Sequence, residues 1–187
     1  MITLLLIKHS SVQTDARVPA AQWRLSEAGR RRCSALAERL APYAPQVVVT
    51  SREPKAAETG ALVAAHLGLP VVSALDLHEH DRTGVPFLGR AEFEAVVADF
   101  FARPHELVFG RETAHAALTR FQAAVAVVTE QYPDQTMALA AHGTVISLLV
   151  AHLAGVDGFD LWQRLDLPSF VVLDWPSGRL VDVVTSV

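Results

Sequence analysis

The sequence contains a single cysteine, so no disulfide framework holds its fold, and at 187 residues it is long enough to bury a core without one. It lacks an excess of positive charge. Sixteen Lys and Arg against twenty Asp and Glu give a net charge of −4, which excludes a general basic field for nucleic acid or anionic lipid. Any anion site must therefore be local. Long apolar runs are missing too. The run near the start, Leu4 to Ile7, has no basic flank before it and is too short for a signal segment or a membrane span. A soluble cytoplasmic protein is expected. Repeats, low-complexity segments and linkers are also absent, so the chain reads as one domain, 1–187. What is plentiful is apolar: 51% hydrophobic against 19% charged residues is the balance of a compact domain, not of a solvated tail.

That apolar content is organised. "LLLI", residues 4–7, is a continuous run of the kind that forms a strand covered on both faces, and it ends on Lys8, His9 and Ser10. Ser26 is suited to cap a helix whose positions Ala28, Cys33, Leu36, Ala37 and Leu40 share one face, which places Cys33 in the core. Arg30 to Arg32 form the only basic run, on that helix's solvated side. "QVVVTS", residues 46–51, reads as a second strand, and residues 55–67 as a helix stopped by Gly68 and Pro70. A short strand near Val71 leads into an irregular charged stretch, then an amphipathic helical segment over 90–104. A long alanine-rich helix precedes the strand "TMALAA", which ends on His142, and a buried helix closed by Gly155 follows. "SFVVLDWPSGRLVDVVT" reads as two strands about a turn, an antiparallel edge hairpin. "FVVLDW" is then a strand that could pair between subunits. Alternating strands and helices indicate an α/β domain: a three-layer sandwich with a mostly parallel central sheet, helices on both faces and an antiparallel edge strand.

In a parallel sheet the strand ends lie on one edge, where open α/β sheets bind ligands. That edge gathers Lys8-His9-Ser10, Thr50-Ser51 leading to Lys55, and His142-Gly143-Thr144, facing the acidic loop His78-Glu79-His80-Asp81-Arg82. This is the inventory for phosphoryl chemistry on a histidine: a neutral imidazole nucleophile, cations for the phosphoryl oxygens, and a carboxylic acid to protonate the leaving oxygen.

Over nearly its whole length the sequence resembles the histidine phosphatase superfamily, also called phosphoglycerate mutase-like. "LLLIKHS" resembles its opening Leu-x-Arg-His-Gly motif, "LSEAGRRRCSALAERL" its first helix, and "TSREPKAAETG" its Ser-x-x-x-Arg-Ala-x-x-Thr-Ala segment. "LHEHDR" is similar to the acidic loop and "LAAHGTVISLL" to the second-histidine motif. The resemblance implies a metal-independent phosphomonoester hydrolase, needing no cofactor, that works through a phosphohistidine. In that scheme His9 attacks phosphorus, Glu79 gives and retrieves the proton with its pKa raised towards neutrality by burial or by a nearby negative phosphate, and His142 with Lys8, Lys55, Ser10 and Gly143 holds the oxygens. The substrate would be a small phosphomonoester or a phosphoprotein. Mutase activity is disfavoured, because the family's mutases are longer.

Three positions depart from the pattern: Lys8 and Lys55 replace the usual arginines, exchanging a bidentate fork for a point charge, and Ser10 replaces a glycine. They motivate the alternative of a phosphate- or phosphoprotein-binding module with little turnover. Within the acidic loop the proton donor is Glu79 or, one register on, Asp81. His80, Arg82, Glu112 and Thr113 are candidate substrate contacts, although helix capping explains the last two nearly as well. His78 and His80 could alternatively hold a metal, but no second cluster with ligand spacing accompanies them. Residues 76–113 are expected to cap the cleft. The oligomeric state stays open, a homodimer being one option.

Overall fold

The computed structural model describes residues 2–187. Six strands form one sheet in the order β3-β2-β4-β1-β5-β6, built from β1 (Ile2–Lys8), β2 (Val47–Thr50), β3 (Val71–Ser73), β4 (Met137–Ala141), β5 (Ser169–Trp175) and β6 (Arg179–Val184). The first four run parallel, while β5 pairs antiparallel with both β1 and β6. This is the mixed α/β sandwich expected from the sequence.

The continuous apolar runs are explained by burial on both faces. Leu4, Leu6, Val47, Val49, Met137 and Leu139 point to one side. There they meet α3 (Arg90–Ala102), α4 (Ala114–Gln131), α5 (Gly143–Ala154) and α6 (Gly158–Arg164). Leu5, Ile7, Val48, Ala138 and Ala140 point to the other, against α1 (Glu27–Leu40) and α2 (Pro54–Leu67). Ser26 caps α1 by accepting from the Gly29 amide, and Cys33 lies in the core, its thiol pushed up to about 11 by burial.

Two features differ from the sequence reading. Helix α6 is seven residues long, too short for a periodic signal. "FVVLDW" is not a free edge: β1 occupies one side of β5 and β6 the other, so β5 has no unpaired backbone to offer a second subunit. Among the described residues no helix is long and apolar enough to cross a membrane.

Helix α1, which follows β1, and helix α5, which follows β4, cover opposite faces of the sheet. β1 and β4 are neighbours, so a crevice opens between the two connections at their carboxyl ends, the switch point where α/β sheets take ligands.

Candidate active site

Both histidines stand at that crevice. Lys8 is in register with Ala141, the His9 amide donates to Ala141 O at 3.2 Å, and the His9 and His142 rings meet edge-on with centroids 5.5 Å apart. His9 Nδ1 lies 2.8 Å from Ser10 O. A carbonyl can only accept, so Nδ1 carries the proton and Nε2 keeps its lone pair. Burial and the nearby His142, Lys55 and Lys8 charges press the His9 pKa well below its ordinary value, so the imidazole is neutral near pH 7. A neutral ring with a fixed tautomer is the form in which histidine is a nucleophile.

His142 is fully buried and likewise held neutral, first by burial and then by Lys55. Its Nε2 is 2.9 Å from Ser51 Oγ, and its Nδ1 has no partner among the described residues. Ser51 Oγ already accepts from the Glu53 amide. If the hydroxyl proton goes to Nε2, Nδ1 carries hydrogen and is left as an unused donor.

The cations are held close by the protein. Lys8 Nζ donates to Leu165 O at 2.6 Å. Gly143 gives its side chain room, since a Cβ there would sit 3.0 Å from Lys8 Cε and 3.3 Å from Nζ. Burial lowers the Lys8 amine to about 8, against the opposing pull of Glu79 and Asp166. Lys55 Nζ donates to Ala20 O at 2.8 Å and to Glu53 Oε2 at 2.5 Å, in a pair almost closed to solvent. Ser10 is buried, its hydroxyl donating to Gly29 O and its amide to Thr59 Oγ1. The hydroxyl expected to meet a phosphate oxygen instead fastens the start of α1 to the loop after β1.

Of the two candidate acids, the structure puts Glu79 near His142. Its carboxylate accepts from the amides of Thr144 and Val145, capping the amino end of α5, and from its neighbour His80. Asp81 lies towards solvent and accepts from the Thr83 amide. A rise in the Glu79 pKa from burial alone is not found. Burial pushes the carboxyl up, but Arg82, His142 and the His80 and Thr144 amides together hold it well below the usual carboxylate range. Arg82 belongs to the same cluster, donating to Thr144 Oγ1 at 2.9 Å and standing 3.5 Å from Glu79.

The other candidate contacts are used elsewhere. His80 is buried between Phe100 and Phe109, with Nε2 at Glu112 O. Glu112 accepts from the Asp81 amide and pairs with Arg120. Thr113 caps α4. Sequence reasoning missed Arg120 and Glu53 and gave Thr144 no role of its own. Arg120 donates to the carbonyls of Asp76, His78 and Glu79 and so fixes the acidic loop. Thr144 joins Arg82 to α5. Glu53 bridges Lys55 and the Glu79 amide. A carboxylate two residues before Lys55 was the visible signal for the last.

A profile of the histidine phosphatase superfamily (branch 1) matches residues 4–185. The chain belongs to this superfamily. A relative from Bacillus subtilis (strain 168), described as the uncharacterized phosphatase PhoE, is 26% identical over 133 residues, 71% of this chain. That match spans 66% of the relative, just under two thirds of its length. The fold is shared with a mycobacterial glucosyl-3-phosphoglycerate phosphatase, at a TM-score of 0.78 and 21% identity over 100% of this chain and 99% of that one. It is shared as well with the alpha-ribazole phosphatase of Shigella flexneri, at a TM-score of 0.73 and 21% identity over 99% and 96% of the two chains.

Proposed function

We propose that this histidine phosphatase hydrolyses small phosphomonoesters without a metal, through a phosphohistidine at His9. The observation that carries the reading is the His9 ring itself: neutral, its Nδ1 proton committed to Ser10 O, its Nε2 lone pair available at the switch point beside His142. Attack in line forms the Nε2–P bond as the bond from phosphorus to the leaving oxygen breaks. Lys8, Lys55 and the unused His142 Nδ1 are placed to meet the oxygens on which charge gathers. Glu79 is ionised in the resting site. A phosphate dianion arriving beside it raises its pKa, so the carboxyl takes up a proton on binding and passes it to the leaving oxygen. Ionised again, it accepts a proton from the water that attacks phosphorus, which breaks the Nε2–P bond and releases phosphate. Residues 76–113, anchored by Arg120, cap the cleft and select the leaving group, as one part of a single domain.

The test is mass spectrometry of protein mixed briefly with a panel of phosphomonoesters and quenched in alkali. A labile phosphate on His9, lost in His9→Ala together with hydrolysis, is the expected result. Hydrolysis that survives His9→Ala overturns the mechanism.

The low Glu79 pKa and the engaged lysines favour a second reading, a phosphate- or phosphoprotein-binding module with little turnover. It predicts calorimetric binding of phosphomonoesters with neither adduct nor released phosphate.

A further inference from the structure

Glu53 has no part in the chemistry above, yet its carboxylate sits among the groups assigned to the phosphoryl oxygens. One oxygen takes a hydrogen bond from Lys55 Nζ at 2.5 Å. The other accepts from the Glu79 amide at 2.9 Å and lies 3.8 Å from His142 Nε2. A lysine and a backbone amide around an oxyanion are contacts of the kind that a phosphoryl group needs. We infer that Glu53 is an internal competitor for the phosphoryl group, a specificity-determining residue that an incoming phosphate must displace from Lys55. The inference rests on the reading that Lys55 receives a phosphoryl oxygen.

The physical argument is like-charge exclusion. A carboxylate and a phosphate dianion cannot share one ammonium in a nearly dry site without strong repulsion. Lys55 offers a single point of charge, unlike a guanidinium, which could serve two anions along its edge. Glu53 cannot simply swing into water either: it is the N-cap residue of α2, just before Pro54, and its side chain is only 11% exposed. Every phosphate-containing species is therefore weakened by a similar factor, inorganic phosphate included. An ester with further contacts on its leaving group still binds, whereas the product phosphate does not linger. The site selects for the leaving group and resists product inhibition.

The test measures the affinity for inorganic phosphate and for orthovanadate by calorimetry, and competitive inhibition by phosphate where an ester is turned over. Glu53→Gln keeps an oxygen for the Glu79 amide and removes the charge. It is expected to bind phosphate at least tenfold more tightly and to lower KM with kcat changed far less. The gain should vanish when Lys55→Gln is combined with it. A residue that merely holds Lys55 in place gives the opposite sign, weaker phosphate in Glu53→Gln. Equal or weaker binding in the variant overturns the inference and leaves the phosphatase reading standing. No phosphate or vanadate bound by either protein and no ester hydrolysed defeats that reading and the inference with it. A measurement without a variant provides an independent check: in crystals of the wild type with orthovanadate on His9, Lys55 Nζ should have left Glu53 for a vanadate oxygen. A Lys55–Glu53 pair unchanged at 2.5 Å refutes the competition.

Discussion

Replacing Lys8 by methionine should make the protein more stable and a poorer binder of phosphate, and both effects can be worked from the structure. Burial lowers the ammonium from 10.5 to about 8. At pH 7 the folded protein therefore carries a charge that it holds less well than the unfolded chain does. Each pKa unit is about 1.4 kcal/mol, so this shift costs about 3 kcal/mol of folding stability. Methionine removes that cost but also removes the bond to Leu165 O, a loss of about 1–2 kcal/mol. The net gain at pH 7 is about 1–2 kcal/mol, roughly 3–6 °C in Tm for a chain of this size. The pH dependence provides the sharper signature. Between pH 8 and 10.5 the unfolded chain keeps the Lys8 proton that the folded protein has released, so Lys8 makes wild-type stability rise with pH in that window. By pH 10 the variant's advantage should shrink by about 2.5 kcal/mol and change sign. Urea denaturation of both proteins at pH 7 and pH 10 reads this directly, since other titrating groups are common to both. A variant less stable than wild type at pH 7, with a gap that does not move with pH, would refute the account of Lys8 as a costly buried cation.

Other consequences are as definite. Gly29→Ala should destabilise by about 3 kcal/mol or more by denaturant titration, because a Cβ there would lie 2.0 Å from the Ser11 carbonyl oxygen, at a joint that cannot yield. Arg120→Ala frees three carbonyls of the acidic loop; kcat should fall about tenfold or more in steady-state assays, with a much smaller change in KM. Imidazole NMR should show His9 and His142 still neutral when the pH is lowered from 7.5 to 6, because burial and the adjacent cations keep both pKa values low. Titration of His9 inside that range would contradict the neutral nucleophile.

The parts of this molecule that were legible in its sequence are those fixed by burial and by local chemistry. β1 and β4 announce themselves because both their faces are covered, which leaves no polar alternation to confuse with a helix. Ser26 marks the start of α1 because a cap is a local bargain between a hydroxyl and an amide three residues on. His9 and His142 are conspicuous as polar residues where such strands end. The rest depends on contacts across the chain. Ser10 is matched with Gly29, Glu53 with the Glu79 amide, and Glu112 with Arg120 and the Asp81 amide. No spacing along the sequence reports those pairings. The Glu79 pKa depends in part on such contacts. Besides Arg82 and the His80 amide in its own loop, its carboxylate is held down by an amide at the start of α5, 65 residues away. His80 and Thr113, adjacent to functional positions, are occupied with packing and capping.

The adjoining strands β1 and β4 have one last consequence. His9 and His142 each follow directly on a strand residue that faces its counterpart across a single ladder step, Lys8 opposite Ala141. Their separation is thereby pegged to the spacing of neighbouring strands, about 4.8 Å, a constant of pleated backbone that no side chain sets. Substitutions in the helices can tilt the cations, the acid or the cap, and so retune what the cleft accepts. The backbone that carries the imidazole pair moves only if the sheet itself comes apart, which makes it the fixed gauge around which the remainder of the site can vary.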